Sequence, residues 1–145
     1  MSSSTREGDE KTPAGIHSFG TGFGIAGNPG SNIGYRQVTV NDYWVDDSNF
    51  SYYNKWVNVT EVAKDWNSEE HLIDEQVAYK YGAVINYNTN CVPGAGSAIF
   101  LHCIKGNATG GCVAVPESTM IHLLQCMNSG TRIVIATNSS TIYNY

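Results

Sequence analysis

Charge is scarce in this chain of 145 residues: Asp, Glu, Lys and Arg together make up 14%, against about 25% in a typical soluble protein. Positive charge is the scarcer sign, with eight basic residues against thirteen acidic ones, only three of them arginine. A net charge of −5 gives no field that would gather a phosphate backbone, which excludes nucleic acid as the main partner. No apolar run approaches the roughly 18 residues that cross a bilayer, and residues 1–12, polar and charged and read as a mobile lead-in, contain no signal-peptide core. The four cysteines, Cys91, Cys103, Cys112 and Cys126, include no C-x-x-C pair. That argues against a disulfide-stapled scaffold, a zinc ribbon or a thioredoxin-type motif. There is no internal repeat.

Aromatic residues are plentiful, with nine Tyr, four Phe and three Trp, enough to build a core and to exclude wholesale disorder. The length suits one domain spanning residues 1–145. Fifteen glycines and many asparagines predict short strands joined by numerous turns. Residues 12–34, with seven glycines, read as loop. Residues 35–40 and 43–45 read as strands, 52–56 as loop, and 60–66 as a short helix capped by Thr60. Residues 81–88 and 97–102 are the best strand candidates, joined by a Pro/Gly-rich turn over 92–96. Pro116 opens a helix whose apolar stripe is Met120, Leu123, Leu124 and Met127, and Asn128-Ser129-Gly130 ends it. Thr131–Ala136 then returns as a strand. The predicted fold is mainly β, with one or two short helices.

Chemistry concentrates in residues 94–120. His102 closes a strand, a flexible loop follows, and Cys112 stands directly after Gly110-Gly111. A thiol becomes a strong nucleophile when a neighbouring base takes its proton, and N–H groups beside a Gly pair can face the oxyanion of an attacked carbonyl. Spacing alone leaves two readings open. One is a Cys–His acyl-transfer pair; the other is a buried free thiol with an ordinary strand-end histidine. A zinc site using His102, Cys103 and Cys112 matches no ligand spacing, and no metal or cofactor is expected. Arg36 could clamp a carboxylate or form a surface ion pair. His71, after Glu69 and Glu70, and Thr109 are further candidates for substrate contact. Asp46-Asp47 reads as a turn with a solvated charge pair, and His17 as solvated.

The segments Gly96-Ser97-Ala98-Ile99-Phe100-Leu101-His102 and Thr109-Gly110-Gly111-Cys112-Val113-Ala114-Val115-Pro116-Glu117, with Met120 following, resemble the signature of the L,D-transpeptidase catalytic domain, the YkuD-like family. Likeness extends upstream in collinear order through Gly8-Asp9-Glu10-Lys11-Thr12-Pro13-Ala14-Gly15, Tyr35-Arg36-Gln37-Val38, Tyr43-Trp44-Val45-Asp46-Asp47, Tyr52-Tyr53-Asn54 and Glu70-His71-Leu72. The resemblance implies a mixed β-sandwich, here expected to lack its first strands, and a wall-directed acyltransferase involved in cell-wall biogenesis and cell shape. It implies Cys112 as nucleophile, His102 as base, the N–H groups of Gly110, Gly111 and Cys112 as oxyanion hole, and the Cys103 carbonyl as the group that orients the imidazole. Peptidoglycan stem peptides would be the substrates, carbapenem-type β-lactams the inhibitors, and the extracytoplasmic space the location. Two other readings compete: a non-catalytic wall-binding remnant, and a Cys–His peptidase or amidase that passes the acyl group to water. Oligomeric state, the acceptor and the redox state of Cys91, Cys103 and Cys126 are not legible.

Overall fold

The computed structural model describes residues 5–145. Nine strands and one α-helix follow in the order β1 (Gly15–Gly24), β2 (Tyr35–Gln37), β3 (Asp42–Val45), β4 (Lys55–Asn58), β5 (Glu69–His71), β6 (Gly82–Ile85), β7 (Phe100–Cys103), β8 (Val113–Val115), α1 (Glu117–Cys126) and β9 (Arg132–Ile135). The larger sheet runs β2-β1-β6-β7-β8, with β9 added along the first half of β1; the smaller one runs β4-β3-β5. β1/β2 and β7/β8 are parallel, and the remaining pairs are antiparallel. This is the mainly-β mixed sandwich that the sequence predicts.

Alternation along β7 explains the layering, because successive side chains point to opposite faces. Phe100 packs toward the small sheet, in a cluster with Phe23, Trp44, Leu72 and Tyr79. Leu101 and Cys103 pack against the helix, with Ala83, Ile85, Met120, Leu124 and Met127. Three of the four helix positions foreseen as a stripe are fully buried, and Leu123 packs at the margin. Pro116 stands at the N-cap, and Glu117 in the first turn pairs with Lys80 at 2.7 Å. His102, one residue beyond Leu101, shares the face of Phe100 and so points between the sheets.

Four expectations need correction. The glycine-rich stretch read as loop contains the longest strand, β1. Its glycines serve close approach: a Cβ at Gly22 would stand 3.0 Å from Leu124 Cδ2 and 3.1 Å from the Gly34 carbonyl. Lys55–Asn58, placed partly in a loop, is β4, held opposite Asp42–Val45. Residues 60–66 make no helix, because the Asn58 side chain accepts from both the N–H and hydroxyl of Thr60, closing one turn. Trp66 then turns inward against Val45 and Val57. Of the polar lead-in, residues 1–4 lie outside the described residues. Thr5 is buried, its hydroxyl bonded to the Ala95 carbonyl at 3.2 Å, and Glu7 N donates to the Gly94 carbonyl at 2.9 Å.

Candidate active site

Parallel pairing of β7 with β8 sets Leu101 opposite Val113 and His102 opposite Ala114. Cys112, one residue before β8, therefore stands level with Phe100 and on the same face as His102. The Phe100 N–H reaches Cys112 Sγ at 3.4 Å, and the thiol donates to the Ala98 carbonyl at 3.2 Å. Both His102 and Cys112 line one cavity of about 510 Å³ at the end of the inter-sheet space.

The imidazole is held in one tautomer. Its Nδ1 lies 2.8 Å from the Cys103 carbonyl oxygen, which can only accept, so Nδ1 carries the hydrogen and Nε2 is the basic atom of the neutral ring. Tyr79 packs edge-on against the ring, with centroids 5.5 Å apart. Burial, at 6% exposure, lowers the His102 pKa below its ordinary 6.5, opposed by the Cys103 hydrogen bond and by Glu75. Burial also pushes the Cys112 thiol up to about 12; the Phe100 N–H opposes this and the Glu70 charge adds to it. Burial thus favours the neutral form of each group in the free site.

The turn ahead of the cysteine is closed by Thr109. Its hydroxyl donates to the Cys112 carbonyl at 2.7 Å and accepts from the Gly111 N–H at 3.4 Å. Gly111 has φ +126°, and a Cβ there would stand 3.0 Å from the Lys11 carbonyl oxygen, so this position accepts glycine alone. Gly110 and Cys112 border the cavity, whereas the Gly111 N–H turns toward Thr109. Cys103 contributes its carbonyl to this face, while its thiol lies on the opposite one, directed at the Tyr81 carbonyl.

Opposite the thiol the backbone is strained. Ala98 has φ +53° and Asn54 φ +56°, positions that a non-glycine residue adopts at a cost of about 1–3 kcal/mol. Asn54 holds the arrangement: its Oδ1 accepts from the Ala98 N–H and from Trp44 Nε1, both at 3.1 Å, and its Nδ2 donates to the carbonyls of Tyr87 and Asn88. The twist at Ala98 aims its carbonyl at Cys112 Sγ. The resemblance runs through Tyr52-Tyr53-Asn54 but assigns no role to Asn54, whose role depends on partners ten to forty-four positions away.

The rest of the cavity wall is acidic, from Glu7, Asp46, Glu70 and Glu75. Glu75 pairs with Lys105 at 2.8 Å, Tyr79 donates to Glu70 at 2.5 Å, and Tyr53 donates to Glu7 at 2.6 Å. Burial raises the Glu70 pKa, the Tyr79 bond opposes it, and the negative charges of Asp46, Glu75 and Glu7 add to the rise. The Asp46-Asp47 turn is not the solvated pair expected. Asp47 is buried, accepting from the N–H groups of Asn49 and Asn67, and Asp46 Oδ1 is buried without a partner.

Arg36 and His71 lie elsewhere. Arg36 binds the buried Asp42 at 3.0 Å and covers the Trp56 ring at 4.5 Å, bordering a second hollow with Trp44 and Lys55. Asp42 also accepts from Trp56 Nε1, Asn58 Nδ2 and Thr39. Burial raises its pKa, but these bonds and the Arg36 charge outweigh burial and the net shift is downward. His71 stacks on Tyr43, with its nitrogens at Asp74 and the Val40 carbonyl, and borders a smaller hollow beside the first. His17, expected in solvent, is half-buried with its edge on Tyr87.

Compared with known families, the chain matches the YkuD model, described as the L,D-transpeptidase catalytic domain, over residues 2–135. No curated protein and no solved structure matches it significantly.

Proposed function

The chain belongs to the L,D-transpeptidase catalytic domain family, a family of enzymes that act on peptidoglycan and are typically extracytoplasmic, and we propose that it is a cysteine acyltransferase for peptidoglycan stem peptides. Among the described residues no helix is long and apolar enough to cross a membrane. The observation that carries the reading is that Cys112 and His102 share one cavity, with His102 Nδ1 committed to the Cys103 carbonyl and Nε2 thereby left as a base.

In the first half-reaction Cys112 Sγ attacks the carbonyl of the third stem residue while His102 Nε2 takes the thiol proton. The N–H groups of Gly110 and Cys112 are the candidates to hold the oxyanion, and the fixed turn over Thr109–Cys112 supports that role. Collapse breaks the amide, and terminal D-alanine leaves as an amine carrying the proton from Nε2. In the second half-reaction an amine attacks the thioester carbon, its proton passes through His102 to Sγ, and the amide forms as the C–S bond breaks. Because burial favours the neutral thiol and the neutral imidazole, proton transfer accompanies attack in this reading. Thr109 acts by holding the turn. Arg36, tied to Asp42 beside a separate hollow, serves the small sheet and not the reacting peptide, and His71 borders the adjoining smaller hollow.

Incubation of the full chain with a muramyl tetrapeptide tests the reading. Release of D-alanine with a 3→3 dimer as product supports it. D-alanine release with tripeptide alone indicates a hydrolase, and no release with folded protein indicates a wall-binding domain.

A further inference from the structure

We propose that Asp46 and Glu70 form a subsite for a primary ammonium group, which seats the amine acceptor beside the acyl-enzyme and selects it over water. The proposal rests on the acyl-transfer reading above. Backbone pairing puts the two carboxylates together. β3 and β5 run antiparallel with Trp44 opposite Glu70, and the Asp46 N–H donates to the Ser68 carbonyl at 3.3 Å. Asp46 and Trp44 share a face by alternation. Asp46 and Glu70 are then diagonal neighbours at about 7–8 Å between backbones, near enough for one ammonium to reach both side chains.

The site has hydrogen-bonding capacity without a use in the free protein. Asp46 Oδ1 is buried and accepts nothing, and Ser97, 9% exposed and bordering the same cavity, has a buried hydroxyl without a partner. Four carboxylates face this space, and the one cationic side chain on its wall among the described residues, Lys105, is already paired with Glu75. Asp46 and Glu70, both half-buried, have no cationic partner among the described residues, and partial burial of unpaired carboxylates is costly. An incoming ammonium brings the missing charge and three donors.

An ammonium has no lone pair, so the acceptor must lose a proton before it attacks. Glu70 keeps one oxygen on the Tyr79 hydroxyl and receives that proton on the other. The freed amine forms the new C–N bond as the C–S bond breaks. Its second proton travels by His102 to Sγ, leaving amide, thiol and one proton that Glu70 returns to solvent. Water, which carries no positive charge, gains no ionic attraction from the pair.

Cadaverine, a diamine without a carboxylate, is the probe. Its binding to the full chain is measured calorimetrically at low salt for wild type, Asp46→Asn, Glu70→Gln and, as control, Glu61→Gln at an exposed position outside the cavity. Either cavity substitution is expected to weaken binding by about ten- to a hundredfold, and the control to leave it unchanged. The acyl-enzyme is then partitioned between amide and acid at increasing cadaverine, counted per acyl-enzyme formed so that differences in acylation cancel. The half-maximal concentration should rise by the same factor. Binding absent in wild type, or equal in wild type and a folded Asp46→Asn, overturns the subsite. Should Glu70→Gln fail to fold, Asp46→Asn decides alone, since Asp46 Oδ1 supports no other group. Cadaverine binding that depends on Asp46, in a protein that forms no acyl-enzyme, upholds the subsite and refutes the acyl-transfer reading.

Discussion

A nucleophile that is neutral at rest should be slow toward a simple electrophile, and the size of the effect follows from its surroundings. Burial moves Cys112 from 9.0 to about 12, which lowers the thiolate fraction at pH 7 by about a thousandfold. A more basic thiolate is intrinsically more reactive, and a Brønsted slope of about 0.4–0.5 returns roughly 15- to 30-fold of that loss. Iodoacetamide should therefore alkylate Cys112 about 30- to 60-fold more slowly than a cysteine tripeptide at pH 7. The rate should climb about tenfold per pH unit without a plateau up to pH 10, because deprotonation is still incomplete there. Residue-resolved mass spectrometry of the quenched, digested protein separates Cys112 from Cys91, Cys103 and Cys126. Alkylation of Cys112 faster than the tripeptide, or a plateau near neutral pH, would mean a preformed thiolate–imidazolium pair and would refute the reasoning.

Gly111→Ala places a side chain at φ +126° and 3.0 Å from the Lys11 carbonyl oxygen. A cost of about 1–3 kcal/mol, at roughly 3 °C per kcal/mol, should lower Tm by about 3–9 °C; an unchanged melt would show that this turn is looser than described. Asp42→Ala leaves Arg36, Trp56 Nε1 and Asn58 Nδ2 without their acceptor. Because Arg36 is partly solvated, thermal melting should show a loss of about 2–3 kcal/mol, set by the unsatisfied Trp56 and Asn58 donors, and a loss below about 1 kcal/mol would contradict the buried hub. With its folded pKa below 3.8, the stability Asp42 contributes is present above that value and lost as pH falls through the folded pKa. An acid-melting series should therefore show its loss in wild type and not in Asp42→Ala.

The parts of the fold that were legible are those fixed by local rules. The stripe of Met120, Leu124 and Met127 follows helical period, and the β-branched run at Arg132–Ile135 follows strand preference. β1 was hidden because its glycines, which locally signal turns, answer to Tyr35 and Leu124 packed against them from distant positions. Cys112 and His102 stood out as candidates, their roles given by the resemblance where spacing left two readings open, and the parallel register of β7 with β8 accounts for how they come to one cavity. The acidic wall was not legible. Glu7, Asp46 and Glu70 come from three separate segments, and each alone looks like an ordinary surface carboxylate. The role of Asn54, a position inside the resembling segment Tyr52-Tyr53-Asn54, was hidden for the same reason, since its four partners are supplied by Trp44, Tyr87, Asn88 and Ala98.

Acylation of Cys112 is the central claim, and intact-protein mass after incubation with a carbapenem tests it without the natural substrate. The strained lactam carbonyl stands in for the stem-peptide carbonyl, and ring opening leaves it as a thioester on Sγ. One adduct of the full carbapenem mass on the wild-type chain, absent from Cys112→Ala with the same melting behaviour, is the expected result. No adduct on folded wild-type protein, or an adduct that survives Cys112→Ala, would contradict it.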